Sequence, residues 1–259
     1  MELTNNTVLI TGGTSGFGLE FTKRFLEMGN TVIITGRDQE KLDKAKQLFP
    51  EVHTFKSDVT DVSAIAKLFE IITQQFSELN ILINNAGEMR KINLHDTSID
   101  LLYITREVDI NLSGPIRMVH QFLPHLKKQR SGAIVNVTSG IAFGAFPISP
   151  VYGATKSGLR SYTQSLRVQL SKTNIKVFEL AAPGSPTPLS DKFLDMEGFN
   201  VKMFMSPEKI VEQAIKDMKR NKYESLPGLS KLIKLISRLA PNFALSQSAK
   251  MGASYFLHS

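Results

Sequence analysis

Short apolar runs alternate with longer stretches in which apolar residues recur at helical spacing along most of the chain. Each run is rich in Val, Ile, Leu or Thr and is bounded by glycine or polar residues, a pattern typical of buried strands. The predicted strands are 7–11, 31–35, 52–55, 80–83, 133–138 and 174–180. Because strands alternating with helices form parallel sheets through right-handed crossovers, the pattern predicts an α/β fold with a doubly wound parallel sheet and helices on both faces.

One predicted helix is unusually long. It spans about 98–127 and is disturbed near Ser113-Gly114-Pro115. Proline removes an internal hydrogen-bond donor and disrupts the helix just before it. Asn111 lies at this disturbance, so we expect it to turn a carbonyl or an amide toward the interior.

The C-terminal region is predicted to be helical and basic. Ser206-Pro207-Glu208 is typical of a helix start, and a later stretch, 231–239, has a broad apolar face beside Lys and Arg residues. Such a basic amphipathic helix docks on its own domain, on a second subunit or on a membrane surface. Docking within the protein or between subunits is the preferred expectation, and peripheral membrane contact is the alternative.

Composition limits the class of protein. The chain has no cysteine, which excludes disulfides and thiolate chemistry and is compatible with a reducing cytoplasm. Its start lacks a basic region followed by an apolar run, and no apolar segment reaches the ~20 residues of a membrane span. We therefore expect a cytoplasmic protein without a signal peptide.

The positive charge is concentrated near the C-terminus. The formal net charge is +7, and from residue 201 onward ten Lys/Arg stand against four Asp/Glu, a balance of +6. A basic tail can attract nucleic acid or an anionic membrane. The remainder is nearly balanced and shows no nucleic-acid-binding motif, so nucleic-acid binding is not expected.

A glycine-rich loop directly follows the first predicted strand. It reads Thr11-Gly12-Gly13-Thr14-Ser15-Gly16-Phe17-Gly18, and a helical pattern then continues to Met28. Glycines permit a tight turn and a close approach of the backbone to a pyrophosphate, which binds at a helix N-terminus. The loop therefore predicts the first unit of a Rossmann-type dinucleotide-binding fold.

The end of the second strand bears on cofactor choice. An acidic residue often occurs there and bonds the ribose 2′-hydroxyl, but here the strand ends in Gly36 and Arg37. A guanidinium pairs well with a 2′-phosphate, so the sequence favours NADP(H) over NAD(H). The alternative is that Arg37 is a solvated turn residue next to Asp38. Asp58, after the third strand, either accepts a bond from the adenine amino group or caps a helix.

A tyrosine and a lysine four residues apart are the candidate catalytic pair. On a helix, Tyr152 and Lys156 lie on one face, about one turn apart. A nearby cation favours the phenolate, so Lys156 is expected to lower the pKa of Tyr152 toward neutrality. Ser139 ends the fifth predicted strand, at the sheet edge where ligands of open α/β sheets bind.

Two other kinds of site are not expected. The five histidines (His53, His95, His120, His125 and His258) show no metal-ligand spacing, so no metal is predicted. The chain has no Gly-x-Ser-x-Gly motif, which argues against an α/β hydrolase.

Taken together, these stretches resemble the short-chain dehydrogenase/reductase family, in the family's order and spacing over about 5–190. The matching stretches are Thr11-Gly12-x-x-x-Gly16-x-Gly18, Asn84-Asn85-Ala86-Gly87, Asn111, Ser139, Tyr152-x-x-x-Lys156 and Thr187. Three segments (6–13, 34–37 and 137–140) are similar to the bacterial DltE-type branch. One feature departs from the family pattern: the Pro-Gly pair before the threonine is displaced by one residue to Pro183-Gly184, which weakens the expected nicotinamide contacts there.

The resemblance implies a set of site residues. The catalytic residues would be Ser139, Tyr152, Lys156 and Asn111, with Asn111 holding a water that links Lys156 to solvent. Besides Tyr152 and Lys156, the cofactor contacts would be Gly12, Thr14, Ser15, Gly16, Phe17, Gly18, Arg37, Asp58, Val59, Asn85, Ala86, Gly87, Pro183 and Thr187.

The implied organisation is a single domain. Residues 1–130 would form the dinucleotide-binding half, 131–205 the catalytic and substrate-lid part, and 206–259 a C-terminal helical segment. The apolar-rich stretch 189–205 is expected to be either a lid over an apolar substrate or a core-packed helix pair.

The implied activity is hydride transfer between a nicotinamide cofactor and a small-molecule carbonyl or alcohol, by a homodimer or homotetramer. The alternative is an NADP(H)-binding regulator or scaffold without turnover. The intact Ser, Tyr and Lys residues favour the enzyme.

Overall fold

The computed structural model describes residues 1–195 and 201–257. Met196 and Phe199 of the predicted lid segment, and His258, lie outside the described residues.

The described strands form one seven-stranded parallel sheet with the order β3-β2-β1-β4-β5-β6-β7. The strands are β1 Thr7–Thr11, β2 Thr31–Gly36, β3 His53–Lys56, β4 Leu79–Asn84, β5 Gly132–Ser139, β6 Ile175–Ala182 and β7 Glu224–Ser225. The six predicted strands are confirmed, whereas β7 was missed. After β3 the chain crosses to the other side of β1, so the strand order reverses between β1 and β4. Ligands of such sheets bind in the crevice at this reversal.

The helices pack on both sides of the sheet. They are α1 Gly16–Glu27, α2 Gln39–Leu48, α3 Val62–Gln75, α4 Leu101–Val108, α5 Gly114–Leu126, α6 Pro150–Gln169, α7 Pro207–Lys219, α8 Ser230–Leu239, α9 Pro241–Lys250 and α10 Ala253–Leu257. Successive side chains of a strand point to opposite faces of the sheet and therefore pack into different cores. Val8 and Ile10 pack with α1, α2 and α7, whereas Leu9 packs with α3, α5 and α6. The predicted doubly wound arrangement is confirmed.

The long helix predicted over 98–127 is interrupted as expected. A π-helical turn, Asp109–Ser113, joins α4 to α5, and the Gly114 N–H donates to the Asp109 carbonyl. Proline at the start of α5 cannot donate an amide hydrogen, which accounts for the change in hydrogen-bond pattern. The wide turn carries the buried Asn111 toward the sheet edge.

Within the described ranges, no helix is both long and apolar enough to cross a bilayer.

Candidate active site

One cavity of about 1190 Å³ lies at the carboxyl edge of the sheet. Its wall includes the glycine loop after β1, the segment after β4 and the end of β5. Ser139, Tyr152 and Lys156 line it, as do all the predicted cofactor residues except Gly18. Apart from Gly18 and Asn111, the structure therefore brings the predicted cofactor-binding and catalytic residues to one cavity wall.

Two glycines in the loop are required by packing. Gly12 has φ +65°, and a Cβ there would lie 2.9 Å from the Ala86 Cα. A Cβ on Gly18 would lie 2.2 Å from the Gly12 carbonyl oxygen. Gly18 is therefore packed between α1 and the loop and is not part of the cavity wall, and its cofactor contact stays a prediction.

Thr11 and Asn85 join the glycine loop to the end of β4. The Asn85 side-chain amide donates to the carbonyls of Thr11 and Gly12, each at 3.0 Å. In return, the Thr11 hydroxyl accepts the backbone N–H groups of Asn85 and Ala86. Thr11 begins the predicted glycine motif but is not among the predicted cofactor residues, because its hydrogen bonds join segments that are distant in the sequence.

The first turn of α1 is suited to an anion. Ser15 is the N-cap residue, its side chain makes no capping hydrogen bond, and the first turn has no acidic residue. The N-terminal backbone N–H groups of a helix have no intrahelical partner and carry partial positive charge. Ser15, Gly16 and Phe17 line the cavity here, so the donor set fits a diphosphate.

Basic residues line the cavity beyond the end of β2. Arg37 and Lys41 both contribute to the wall. The neighbouring carboxylate of Asp38 is occupied, because it caps α2 by accepting the Lys41 backbone N–H at 3.2 Å. The other Asp38 oxygen lies 3.9 Å from the Lys41 ammonium, so the Asp38 carboxylate is engaged by both groups of Lys41.

Asp58 lies in the cavity wall and does not cap α3. Its carboxylate accepts both the backbone N–H and the hydroxyl of Thr60 at 2.9 Å, whereas the N-cap of α3 is Asp61. The helix-cap alternative for Asp58 is therefore wrong. Both of these hydrogen bonds use one carboxylate oxygen. A contact between the other oxygen and the adenine amino group stays a proposal.

Ser139 and Tyr152 meet at the centre of the cavity. Ser139 ends β5, where its hydroxyl accepts the Ile141 N–H at 3.2 Å and lies 3.4 Å from the Ala182 carbonyl. Tyr152 lies in the first turn of α6, which begins at Pro150. The Ser139 side chain is close enough to lower the pKa of Tyr152, and both side chains line the same part of the cavity.

Lys156 lies one turn after Tyr152 and is almost fully buried. Its ammonium nitrogen donates to the Val137 carbonyl at 2.9 Å and lies 5.6 Å from the centre of the Tyr152 ring. Burial lowers the pKa of Lys156 to about 8, because an ammonium loses hydration in an apolar surrounding.

The acidity of Tyr152 differs from the sequence-based expectation. Burial raises the pKa of Tyr152 above its ordinary value, the polar Ser139 side chain opposes this, and the nearby Glu107 carboxylate adds to the increase. The expected dominance of the lysine charge is therefore wrong in this structure. The phenolate loses more by desolvation than it gains from its polar surroundings.

Asn111 supports the segment after β4. Its side-chain oxygen accepts the Glu88 N–H, and its amide donates to the Glu88 carbonyl, both at 2.8 Å. The amide also lies 3.2 Å from the Thr155 hydroxyl, which donates to the Tyr152 carbonyl. Asn111 is not part of the cavity wall, and its side chain ties three site segments together.

The predicted lid segment folds as short turns in its described part. Ser190 fixes its start by donating to the Ser185 carbonyl at 2.7 Å. Phe193 is fully buried against Tyr152 and Phe146, whereas Met203 is exposed at the cavity wall. Only 3₁₀ turns, 191–193 and 201–203, occur in the described residues of this segment, so a core-packed helix pair is not formed there.

The displaced Pro-Gly turn remains at the cavity. Pro183, Gly184 and Thr187 all line it, and the Gly184 carbonyl accepts the Met205 N–H at 3.0 Å. A Cβ on Gly16 would lie 3.3 Å from the Thr187 methyl carbon. Thr187 therefore lies directly beside Gly16 of the glycine loop.

Helix α8 closes one side of the cavity and packs on its own chain, one of the arrangements that the sequence predicts. Ile233 lines the cavity, and a Cβ on Gly140 would lie 2.8 Å from the Ser230 hydroxyl oxygen. An ion pair between Lys234 and Glu224 holds the helix against β7. Glu224 also bonds Arg160, 3.2 Å away on α6.

Comparison with known proteins agrees with this geometry. A model of the short chain dehydrogenase family matches residues 6–198. The uncharacterized oxidoreductase DltE of Bacillus subtilis (strain 168) is 42% identical over 224 residues, 86% of this chain and 88% of that protein.

Two solved structures share the fold. A short chain dehydrogenase from Burkholderia cenocepacia J2315, in complex with NADP, aligns with a TM-score of 0.81 at 22% identity, covering 94% of this chain and 97% of that one. A 3-ketoacyl-(acyl-carrier-protein) reductase from Brucella melitensis, complexed with NADH, gives a TM-score of 0.76 at 26% identity, covering 86% and 94%. Since the family match spans most of the chain, this protein belongs to the short-chain dehydrogenase/reductase family, within its DltE-like branch, and is an NAD(P)-dependent oxidoreductase.

Proposed function

We propose that this oxidoreductase is an NADPH-preferring reductase that transfers hydride to the carbonyl of a small, largely apolar substrate, or from the alcohol in reverse. One observation carries the proposal: Ser139, Tyr152 and Lys156 share a cavity with an anion-ready helix N-terminus and with Arg37. The bound nicotinamide would supply the hydride chemistry, and the protein would supply orientation and the proton.

The glycine loop would hold the diphosphate. The backbone N–H groups of Ser15, Gly16 and Phe17 supply donors at the N-terminus of α1. Ala86 and Gly87 line the cavity between this loop and Lys156, where small side chains leave room for a ribose. Lys156 would donate to the ribose hydroxyls.

The end of β2 supports a preference for NADPH. Arg37 and Lys41 offer cations at the cavity wall, whereas the Asp38 carboxylate is engaged in capping α2. A guanidinium forms two charge-assisted hydrogen bonds with a phosphate, which a 2′-hydroxyl cannot match. NAD(H) would forgo this interaction.

Tyr152 would act as the proton donor. A tyrosine hydroxyl is protonated at neutral pH, since its ordinary pKa is about 10, and burial raises the pKa of Tyr152 further, so the proton to be donated is present. Ser139, which adjoins Tyr152 at the cavity wall, would donate to the substrate oxygen as negative charge develops on it. Together the two hydroxyls fix the position of the substrate carbonyl.

Lys156 would lower the cost of losing that proton. Its ammonium adjoins the Tyr152 ring, so it stabilises the phenolate that remains after transfer. We also propose that Asn111 holds a water that returns the proton from solvent. Its side chain is already bonded to Glu88 and Thr155, so its main-chain carbonyl in the π-helical turn would bind that water.

The remaining wall supports an apolar substrate. Side chains beyond Tyr152 that line the cavity are mainly hydrophobic, including Ile141, Phe143, Phe146, Leu189, Met203 and Ile236. Such walls stabilise a ligand chiefly by removing apolar surface from water.

We further propose that the chain works as one domain, divided at about 130 and 205 as the sequence indicates, and that it assembles as a homodimer or homotetramer. The side chains of Leu101 and Leu102 on α4 are 83% and 86% exposed, which supports a contact there.

The proposal is tested by screening aldehydes and ketones of increasing chain length for consumption of NADPH and of NADH. We expect NADPH oxidation with apolar carbonyl compounds and weaker activity with NADH. Tight NADPH binding without oxidation across the whole panel would instead indicate a cofactor-sensing protein.

A further inference from the structure

Helix α8 presents three different faces. Its inner face, Leu229, Ile233 and Ile236, lines the cavity. Its outer face, Leu232, Leu235 and Leu239, is 49%, 53% and 73% exposed. Because these three leucines are three or four residues apart, they form a single stripe along the helix. The helix is thus docked on its own chain and still exposes large apolar side chains.

Cations flank the outer face. Lys231, Lys234 and Arg238 form a second stripe beside the leucines, and Lys250 ends α9. Lys234 pairs with Glu224. In the part of the chain that the structure describes, Lys231 and Arg238 are exposed and form no ion pair. The sequence from 226 to 259 contains these four Lys/Arg and no Asp or Glu.

The mouth of the cavity lies beside the same surface. Phe243 and Leu245 of α9 are 54% and 51% exposed, and both also line the cavity. Lys250 lines it as well. The exposed apolar surface of α8 therefore continues, through α9, into the opening of the site.

We propose that the outer face of α8, together with α9, is a docking surface for an anionic lipid bilayer. Exposed leucines would enter the boundary between headgroups and acyl chains, while Lys231, Arg238 and Lys250 contact acidic headgroups. In combination with the proposed reductase function, docking would let an apolar substrate pass from the bilayer into the cavity.

The positive charge of this surface favours an acidic bilayer over a second copy of the chain. In a two-fold symmetric contact this face meets itself, so Lys231 and Arg238 of both copies would gather where no carboxylate of this region can neutralise them. An acidic bilayer supplies the opposite charge along the whole surface.

The test is flotation of the full chain with vesicles of phosphatidylcholine alone or mixed with phosphatidylglycerol. We expect binding to the acidic vesicles, weakened by salt, and little binding to the neutral ones. A double variant, Leu235→Ser with Leu239→Ser, should bind at least about tenfold more weakly. Reversing Lys231→Glu and Arg238→Glu should cost about fivefold or more per site, because each cation near an acidic surface contributes about that factor.

Matched variants elsewhere provide the controls. Leu48 is 60% exposed at the end of α2, so Leu48→Ser should float like the wild type. Lys67→Glu with Lys128→Glu reverses two exposed lysines on other surfaces and should cost far less binding than the α8 reversal. Unchanged NADPH affinity in every variant would verify that the fold is intact.

Three results would overturn the proposal. The first is a wild type that does not float with acidic vesicles. The second is a set of α8 variants that float as well as the wild type. The third is a wild type that does not bind vesicles together with a Leu235→Ser, Leu239→Ser variant that elutes as a smaller assembly. That result would identify a subunit interface. None of these readouts depends on turnover, so the docking surface and the reductase function can fail separately.

Discussion

The ammonium nitrogen of Lys156 lies 5.6 Å from the centre of the Tyr152 ring, and both side chains are at least nine-tenths buried. Burial acts on the two groups in opposite directions. It raises the pKa of the Tyr152 hydroxyl and lowers the pKa of Lys156 to about 8. Burial therefore favours the neutral form of each side chain. Lys156 is nevertheless charged at neutral pH, and keeping this buried ammonium lowers the stability of the folded protein.

Replacing Lys156 by methionine should abolish turnover and stabilise the protein without cofactor. At pH 7 the wild type must keep a buried ammonium, and a shift from 10.5 to about 8 sets an upper limit of about 3 kcal/mol on that cost. The free energy of unfolding of both proteins, from urea titrations, measures the difference.

The difference in the free energy of unfolding between Lys156→Met and the wild type should depend on pH. Between about pH 8 and 10.5 the unfolded chain binds the lysine proton and the folded chain does not, so this group makes the wild type more stable as pH rises. The advantage of Lys156→Met should therefore shrink from pH 7 to pH 10. The control Lys44→Met, at an exposed lysine on α2, should show no such change, and a constant advantage would contradict the account.

Replacing Arg37 by serine should weaken the binding of NADPH and leave the binding of NADH nearly unchanged. Loss of charge-assisted hydrogen bonds to a phosphate costs about 1.5–3 kcal/mol, a roughly 10- to 100-fold increase in Kd. Fluorescence titration of both cofactors against both proteins gives the four constants. Equal weakening of NADPH and NADH would mean that Arg37 does not recognise the 2′-phosphate.

Replacing Glu224 by glutamine should loosen α8. Glu224 pairs with Lys234 on α8 and Arg160 on α6, and both cations lie near the Phe143 ring in the cavity wall. Removing a partly buried charge with two partners should lower the free energy of unfolding by about 1–3 kcal/mol. We expect KM to rise more than kcat falls. The exposed Glu51→Gln is the control, and a loss confined to kcat would argue against a role in the cavity wall.

Much of this site follows from local sequence. The glycine loop, Arg37 and the Tyr152–Lys156 spacing are short-range patterns with direct chemical meaning, and the structure places them in one cavity. The sequence likewise predicted a disturbance of the long helix near Pro115, and the structure shows that it takes the form of a π-helical turn carrying Asn111.

Other features depend on contacts between distant residues and leave no local pattern. Thr11 and Asn85 join loops more than seventy residues apart. Strand β7 has two residues, too few for a recognisable alternation. The raised pKa of Tyr152 comes from burial and from Glu107, which lies on a different helix. Only the folded chain brings these groups together.

The most direct test of the account replaces Tyr152 by phenylalanine. The wild type and Tyr152→Phe are compared for NADPH binding by fluorescence and for NADPH consumption with a reactive carbonyl compound from the screen. If the Tyr152 hydroxyl supplies the proton, the variant should bind NADPH with nearly wild-type affinity and lose at least about 100-fold in kcat/KM. Turnover close to that of the wild type would contradict the assignment of Tyr152 as the proton donor.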